Sequence, residues 1–271
     1  PIRLQGDRLD HLFDSVPYTM SAGQWGGIYV AGANSECTMS HVEIRCAQYG
    51  IYIPNGRSTQ LPTLTLDGCL IHNCTLYGLG LINVNASVTN CQISNCGIYC
   101  VYLAGGTHRF VHSTIANYFG NTSVNIQSTS RQAAPAVCIN DIPKGAPMTT
   151  RFLNCIVTGT QQTEWSLISY FTDRFSGQFI GNYLRTADST KLSELTQYEA
   201  NRYANPDDIV FVNTNYEIHH YADYNFCLDS ASVVRDVAID TIAEKVPVDR
   251  LGHNRMADGH PDLGCYEYVE P

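Results

Sequence analysis

Residues 68–74 read GCLIHNC, residues 90–96 NCQISNC and residues 112–118 HSTIANY, and each stretch begins 22 residues after the one before. That spacing superimposes Cys69, Cys91 and Ser113, then Ile71, Ile93 and Ile115, then Asn73, Asn95 and Asn117. Self-similarity at a fixed period of this length means one supersecondary unit stacked on copies of itself. Few architectures accept such a pattern.

Inside the unit, Cys69 and Ile71 alternate with Leu70 and His72, the period of a strand. Asn then stands where the chain must turn, and Asn tolerates the left-handed backbone. A later copy, NCIVTG at 154–159, puts Gly159 at that place, and an earlier one, HVEIRC at 41–46, puts Cys46 there. A second strand follows each turn: GGIYV (26–30), YGIYI (49–53), YGLGL (77–81) and CGIYC (96–100). A third is read at TLTL (63–66), ASVT (86–89) and RFVH (109–112), with insertions such as PNGRSTQLP (54–62) that keep the phase. Three strands and their turns in one repeat make a coil of a parallel β-helix, and roughly eight coils at about 4.8 Å each fit the chain. The fold class expected is all-β, in one domain over residues 1–271. Residues 188–205 carry Leu192, Leu195, Tyr198 and Tyr203 near helical spacing, which predicts one short helix on the side of the rod. IVFVN (209–213) returns to strand.

Composition narrows the function. The chain has 271 residues, 44% hydrophobic and 15% charged, and a net charge of −9. Its lysines are Lys144, Lys191 and Lys245. Nucleic acid needs a basic footprint that this chain lacks, and anionic polysaccharides are disfavoured unless a cation bridges them. No run approaches the length of a membrane span. Of the 11 cysteines, Cys69 and Cys91 share one repeat position and Cys74 and Cys96 another, which favours stacked core thiols over disulfides, while C-x4-C is not a usual zinc spacing. No metal and no cofactor is expected.

Two sets of outward residues are candidates. Tyr29, Tyr52 and Tyr99 follow a Gly-Ile pair in three coils, with Gly80 at the equivalent place between them. Aromatic faces at coil spacing suit sugar rings, since the ring stacks while the hydroxyl still bonds; the competing reading is aromatic packing on a sheet face. His41, Glu43 and Arg45 alternate along one strand with His72 on the next coil. They offer an acid, a base and a cation for general acid–base work, or else a solvated polar face.

GQWGGIYV (23–30), HVEIRCAQYGIYI (41–53), FVHSTIANYF (110–119) and DRLGHNRMADGHPDLGCYEY (249–268) resemble right-handed parallel β-helix repeat proteins of the pectin-lyase-like class. The nearest group is bacterial cell-surface and lipoprotein members mostly without assigned activity. The resemblance implies an extracellular or cell-surface location, a truncated N-terminus, and membrane contact only through an anchor preceding Pro1. It also marks residues 249–271 as a C-terminal cap, with Asp249, Gly252, Arg255, Asp262, Gly264 and Glu267 as its characteristic positions. The class implies polysaccharide chemistry, yet the chain has no G-H-G or R-x-K, and Asp207-Asp208 reads as a turn after Pro206. The expected function is a surface β-helix that binds polysaccharide, as in a glycan-degrading system. The alternatives are a lyase or glycoside hydrolase with a non-standard site, and a structural or adhesive rod.

Overall fold

In-register stacking of the repeat requires three parallel sheets, one for each strand of the coil. The computed structural model shows them, and it describes residues 2–13, 16–56, 59–119, 134–142, 145–168, 172–187, 197–214 and 224–270. The first sheet has eight strands: Ile2–Leu4, Val42–Arg45, Leu70–Cys74, Gln92–Cys96, Thr114–Asn117, Ile156–Gly159, Tyr183–Leu184 and Arg202–Tyr203. The second has six, from Trp25–Tyr29 through Ala47–Pro54, Tyr77–Ile82, Tyr99–Ala104 and Val137–Asn140 to Trp165–Ile168. The third has seven: Glu36–Ser40, Thr63–Asp67, Asn85–Thr89, Gly106–Val111, Met148–Leu153, Phe175–Ile180 and Gln197–Glu199. Neighbouring strands within each of these three sheets are parallel, so the expected solenoid is the observed fold.

The inward columns form one core. Ile44, Ile71, Ile93 and Ile115 are fully buried in the first sheet, as are Ile51, Leu79 and Val101 in the second. In the third, Phe110 and Phe152 stack at 4.7 Å and 2°, and Phe152 and Phe179 at 4.9 Å and 23°. Cys69 pairs in register with Cys91, and Cys74 with Cys96, and every cysteine is a free thiol. The column opened by Cys69 and Cys91 continues through Ser113 and Cys155 to Asn182 and Asn201. Cys155 N–H donates to Asn182 Oδ1 (2.8 Å), and Asn182 Nδ2 donates to Asn201 Oδ1 (2.8 Å).

Left-handed residues recur at the corners. At the corner between first and second sheets, Cys46, Asn73 and Asn95 have φ of 58°, 56° and 54°. Asn117 and Gly159 stand in register with them but without positive φ. Asn117 instead bonds across the coils, its Oδ1 accepting from Cys96 N–H at 3.1 Å. The corner between third and first sheets is more regular: His41, Gly68, Asn90, His112, Asn154, Gly181 and Ala200 all have φ between 43° and 66°.

The predicted side helix over 188–205 is corrected where it can be seen. Gln197–Glu199 and Arg202–Tyr203 are strands paired with Gln178–Ile180 and Tyr183–Leu184, while residues 188–196 lie outside the described residues. Pairing onto a finished coil satisfies the backbone directly, and Tyr198 joins the core from that strand. The α-helix among the described residues is Asp240–Ala243.

The closing segment covers the rod on its flank, over the middle coils, where the sequence placed it across the C-terminal end. Tyr266 Oη donates to Gln92 Oε1 (2.6 Å), Cys265 N–H to Thr114 Oγ1 (3.1 Å) and Gly264 N–H to the Asn154 carbonyl (3.0 Å). Leu263, Cys265 and Tyr266, with Phe211, Phe226 and Val234, bury Ala116, Ile156 and Tyr183 on the outer side of the first sheet. Arg255 is fully buried, ion-paired with Glu267, and donates to Asn90 Oδ1 (2.7 Å). Glu267 N–H donates to Asp249 Oδ2 (2.9 Å), and Tyr268 N–H to Asp262 Oδ2 (2.6 Å). Burial pushes Asp262 up to about 6 against the backbone donors of Tyr268 and Asp236.

Two outcomes are expected. A thiol reagent should modify only the half-buried Cys37 and Cys227 in the native protein, and the nine buried cysteines only after denaturation. Arg255→Leu should cost about 3–5 kcal/mol in denaturant unfolding, because it leaves the buried Glu267 without its partner and Asn90 Oδ1 and the Gly264 carbonyl without their donor. A loss below about 1 kcal/mol would show that the pair contributes no more than an exposed one.

Candidate functional site

The second sheet brings one tyrosine after another to the same outer face. Tyr49, Tyr77 and Tyr99 are in register in one column, and Tyr29, Tyr52, Gly80 and Tyr102 in the next. Tyr99 is therefore not the partner of Tyr29 and Tyr52; Tyr102 holds that place. The Gly-Ile pair of CGIYC misleads because Gly97 and Ile98 form the corner, their N–H groups donating to the carbonyls of Cys74 and Leu76. A methyl group on Gly97 would stand 2.2 Å from the Thr75 carbonyl oxygen.

The tyrosines form one continuous aromatic surface. Tyr49 stacks on Tyr52 at 4.6 Å and 16°, and Tyr77 on Tyr102 at 5.5 Å and 24°. Tyr29 meets Tyr52 edge-on at 5.6 Å, and Tyr99 stacks on Tyr102 at 5.7 Å. Gly80 is what lets the two halves join. A methyl group there would lie 2.7 Å from the Tyr52 ring and 2.9 Å from the Tyr77 ring. Tyr29 is 64% exposed and the others are half-buried. Among the described residues no hydroxyl partner stands near Tyr29, Tyr49, Tyr52 or Tyr77, while Asn140 Nδ2 donates to Tyr102 Oη (3.3 Å). Burial, then Cys138, pushes Tyr99 up to about 12, and burial raises Tyr52, Tyr77 and Tyr102. The face thus presents neutral hydroxyls. The third outward column, Pro54, Ile82, Ala104, Asn140 and Ile168, brings no carboxylate.

The polar set on the first sheet is only partly assembled. Glu43 Oε1 lies 3.2 Å from His72 Nε2 and 3.4 Å from Arg45 Nη1. His41 does not join them: its φ of 51° turns it into the corner, where its ring covers Gly68. In its place Arg3 Nε donates to Glu43 Oε2 (2.7 Å), and Arg45 Nε donates to Gln5 Oε1 (2.9 Å). Sequence spacing could not reveal Arg3, which comes from an adjacent strand of the same column, Arg3 opposite Glu43. Burial alone would raise Glu43, but hydrogen bonds to His72 and Arg3 and the charges of His72 and Arg45 outweigh it and hold the carboxyl at about 2. A carboxylate so deeply ionised cannot carry a proton near neutral pH. Glycoside hydrolysis needs two carboxyl groups, and Glu43 has no second one beside it among the described residues.

This arrangement has a pH signature. The folded value near 2 lies below the ordinary 4.5, so the stabilisation is full above about pH 4.5 and is lost as pH falls toward 2. Glu43→Gln should cost on the order of 1–2 kcal/mol at pH 7, reduced by the exposure of Arg3, and nothing near pH 2. A deficit that stayed constant across that range would mean Glu43 acts by packing and not by charge.

A family model described as a right handed beta helix region matches residues 26–163. No curated protein and no solved structure matches the chain.

Proposed function

The chain belongs to the right-handed β-helix family, and from that premise we propose that it binds polysaccharide through the tyrosine face of its second sheet. The observation that carries this is the unbroken ring contact from Tyr29 through Tyr52, Tyr49 and Tyr77 to Tyr99 and Tyr102. Aromatic rings beside free hydroxyls match the two sides of a sugar, an apolar face and a polar rim. Successive coils lie about 4.8 Å apart, close to the advance of one pyranose along an extended glycan. Adjacent sugars could then meet adjacent coils. The columns carry no formal charge, so the ligand class is a neutral glycan. Such polymers lie outside the cell, and the proposal includes an extracellular or cell-surface location.

Binding is favoured over hydrolysis because no carboxylate stands among these columns, whereas stacking needs none. The test is a glycan array followed by affinity electrophoresis in the retaining polymer. The triple variant Tyr29→Ala, Tyr52→Ala, Tyr77→Ala should lose about 2–4 kcal/mol of binding, at roughly 0.5–1.5 kcal/mol per stacking ring. Chain length of the glycan should not fall on prolonged incubation. Absence of retention by any neutral glycan, or equal retention of the triple variant, would sink the proposal.

A further inference from the structure

The third sheet repeats a different motif, THRF at 107–110 and TTRF at 149–152. Far apart in sequence, the two copies are adjacent in space, with Thr107 opposite Thr149 and Arg109 opposite Arg151. His108, Phe110, Thr150 and Phe152 are fully buried, so alternation sends both arginines to the outer face. Beneath them the Phe110–Phe152 stack and the His108 Nδ1 to Thr150 Oγ1 contact (3.3 Å) fix the register. The guanidinium stems therefore leave the sheet side by side, one strand spacing of about 4.8 Å apart.

Like charges directly opposite on neighbouring strands are destabilising. Neither arginine has an ion-pair or hydrogen-bond partner among the described residues. On this face the flanking strands present Ser87 and Gln178 in the same column. The carboxylates of Asp67 and Glu199 stand in another column, two strands away from Arg109 and Arg151, or about 10 Å. In a chain of net charge −9 this is a local excess of positive charge.

We propose that the outer face of the third sheet is a second binding site, which takes the sulfate esters of a sulfated polysaccharide on Arg109 and Arg151. A carboxylate is planar and matches one guanidinium edge to edge. The oxygens of a sulfate diverge, so one group can accept from two guanidiniums held side by side and from the hydroxyl of Thr107 or Thr149. The face is open, so a single small anion gains little. A polymer that repeats its charges gains by multiple attachment. The site is separate from the tyrosine face and does not rest on that assignment.

The experiment compares retention of the full chain in gels containing dextran sulfate, dextran of equal length, a polyuronate, and a single-stranded oligonucleotide. Dextran sulfate should retain the protein most strongly, and less so as salt rises, because exposed charges are screened. Arg109→Gln with Arg151→Gln should weaken this retention by about tenfold or more, and Arg109→Lys with Arg151→Lys by less. The glutamine variant should melt no lower than the parent, since it removes a like-charge contact, and the triple tyrosine variant should keep its retention in dextran sulfate. Unchanged retention of the glutamine variant would overturn the proposal. So would equal or tighter binding of the polyuronate, the oligonucleotide or uncharged dextran.

Discussion

The residue that turns each coil out of the third sheet and into the first has a left-handed backbone along the whole rod, from His41 through Asn90 and Asn154 to Ala200. Each left-handed non-glycine residue costs roughly 1–2 kcal/mol, and the cost is met because the next strand then lies in register on the coil before it. Register decides everything further out. A slip of one residue would turn Tyr29, Tyr52 and Tyr102 inward and expose the phenylalanine ladder. The aromatic face, the paired arginines and the Glu43 cluster are thus consequences of one corner repeated at fixed spacing.

Much of this was legible in the sequence, and the failures have physical causes. The copies at 68–74, 90–96 and 112–118 carry no insertions within the first sheet, so their spacing reports the coil directly. The tyrosine face was recognisable, but its register was not. In the coil of CGIYC the Gly-Ile pair serves the turn, and Tyr102 is placed by its register with Gly80 and not by motif. His41 was misplaced because a left-handed corner interrupts the alternation that carried Glu43 and Arg45 outward. The strands at 197–203 imitated a helix because aromatic spacing in a short segment does not separate the two periods.

The closing segment shows a further limit. Its composition, apolar Leu263 and Tyr266 among Asp249, Arg255, Asp262 and Glu267, said that it covers something. What it covers is set by the outer side of the first sheet, which changes along the rod. Outward positions are polar at Glu43 and Arg45 and become Thr114, Ala116 and Ile156 where the segment lies. That change is visible only once the columns are aligned, because an outward apolar residue in one strand looks like an inward one.

Burial and reactive chemistry fall in different places on this molecule. A solenoid desolvates an outer face only by laying chain over it, and among the described residues that happens on the first sheet. The side chains it covers there include Gln92, Ser94, Thr114 and Ala116, with no acid among them. The buried carboxylates of the covering segment are committed elsewhere, Glu267 to Arg255, Asp249 to the backbone of Leu251, His253 and Glu267, and Asp262 to Asp236 and Tyr268. Glu43, which has His72 beside it on the open face, is held ionised by its cations. General acid catalysis asks for a carboxyl group raised toward neutral pH by desolvation and aimed at a substrate. Here Asp262, raised by burial, accepts from the backbone of Asp236 and Tyr268, and Glu43 on the open face is lowered. The periodic faces left open offer repetition instead of enclosure, and the proposed polymer binding draws on that repetition.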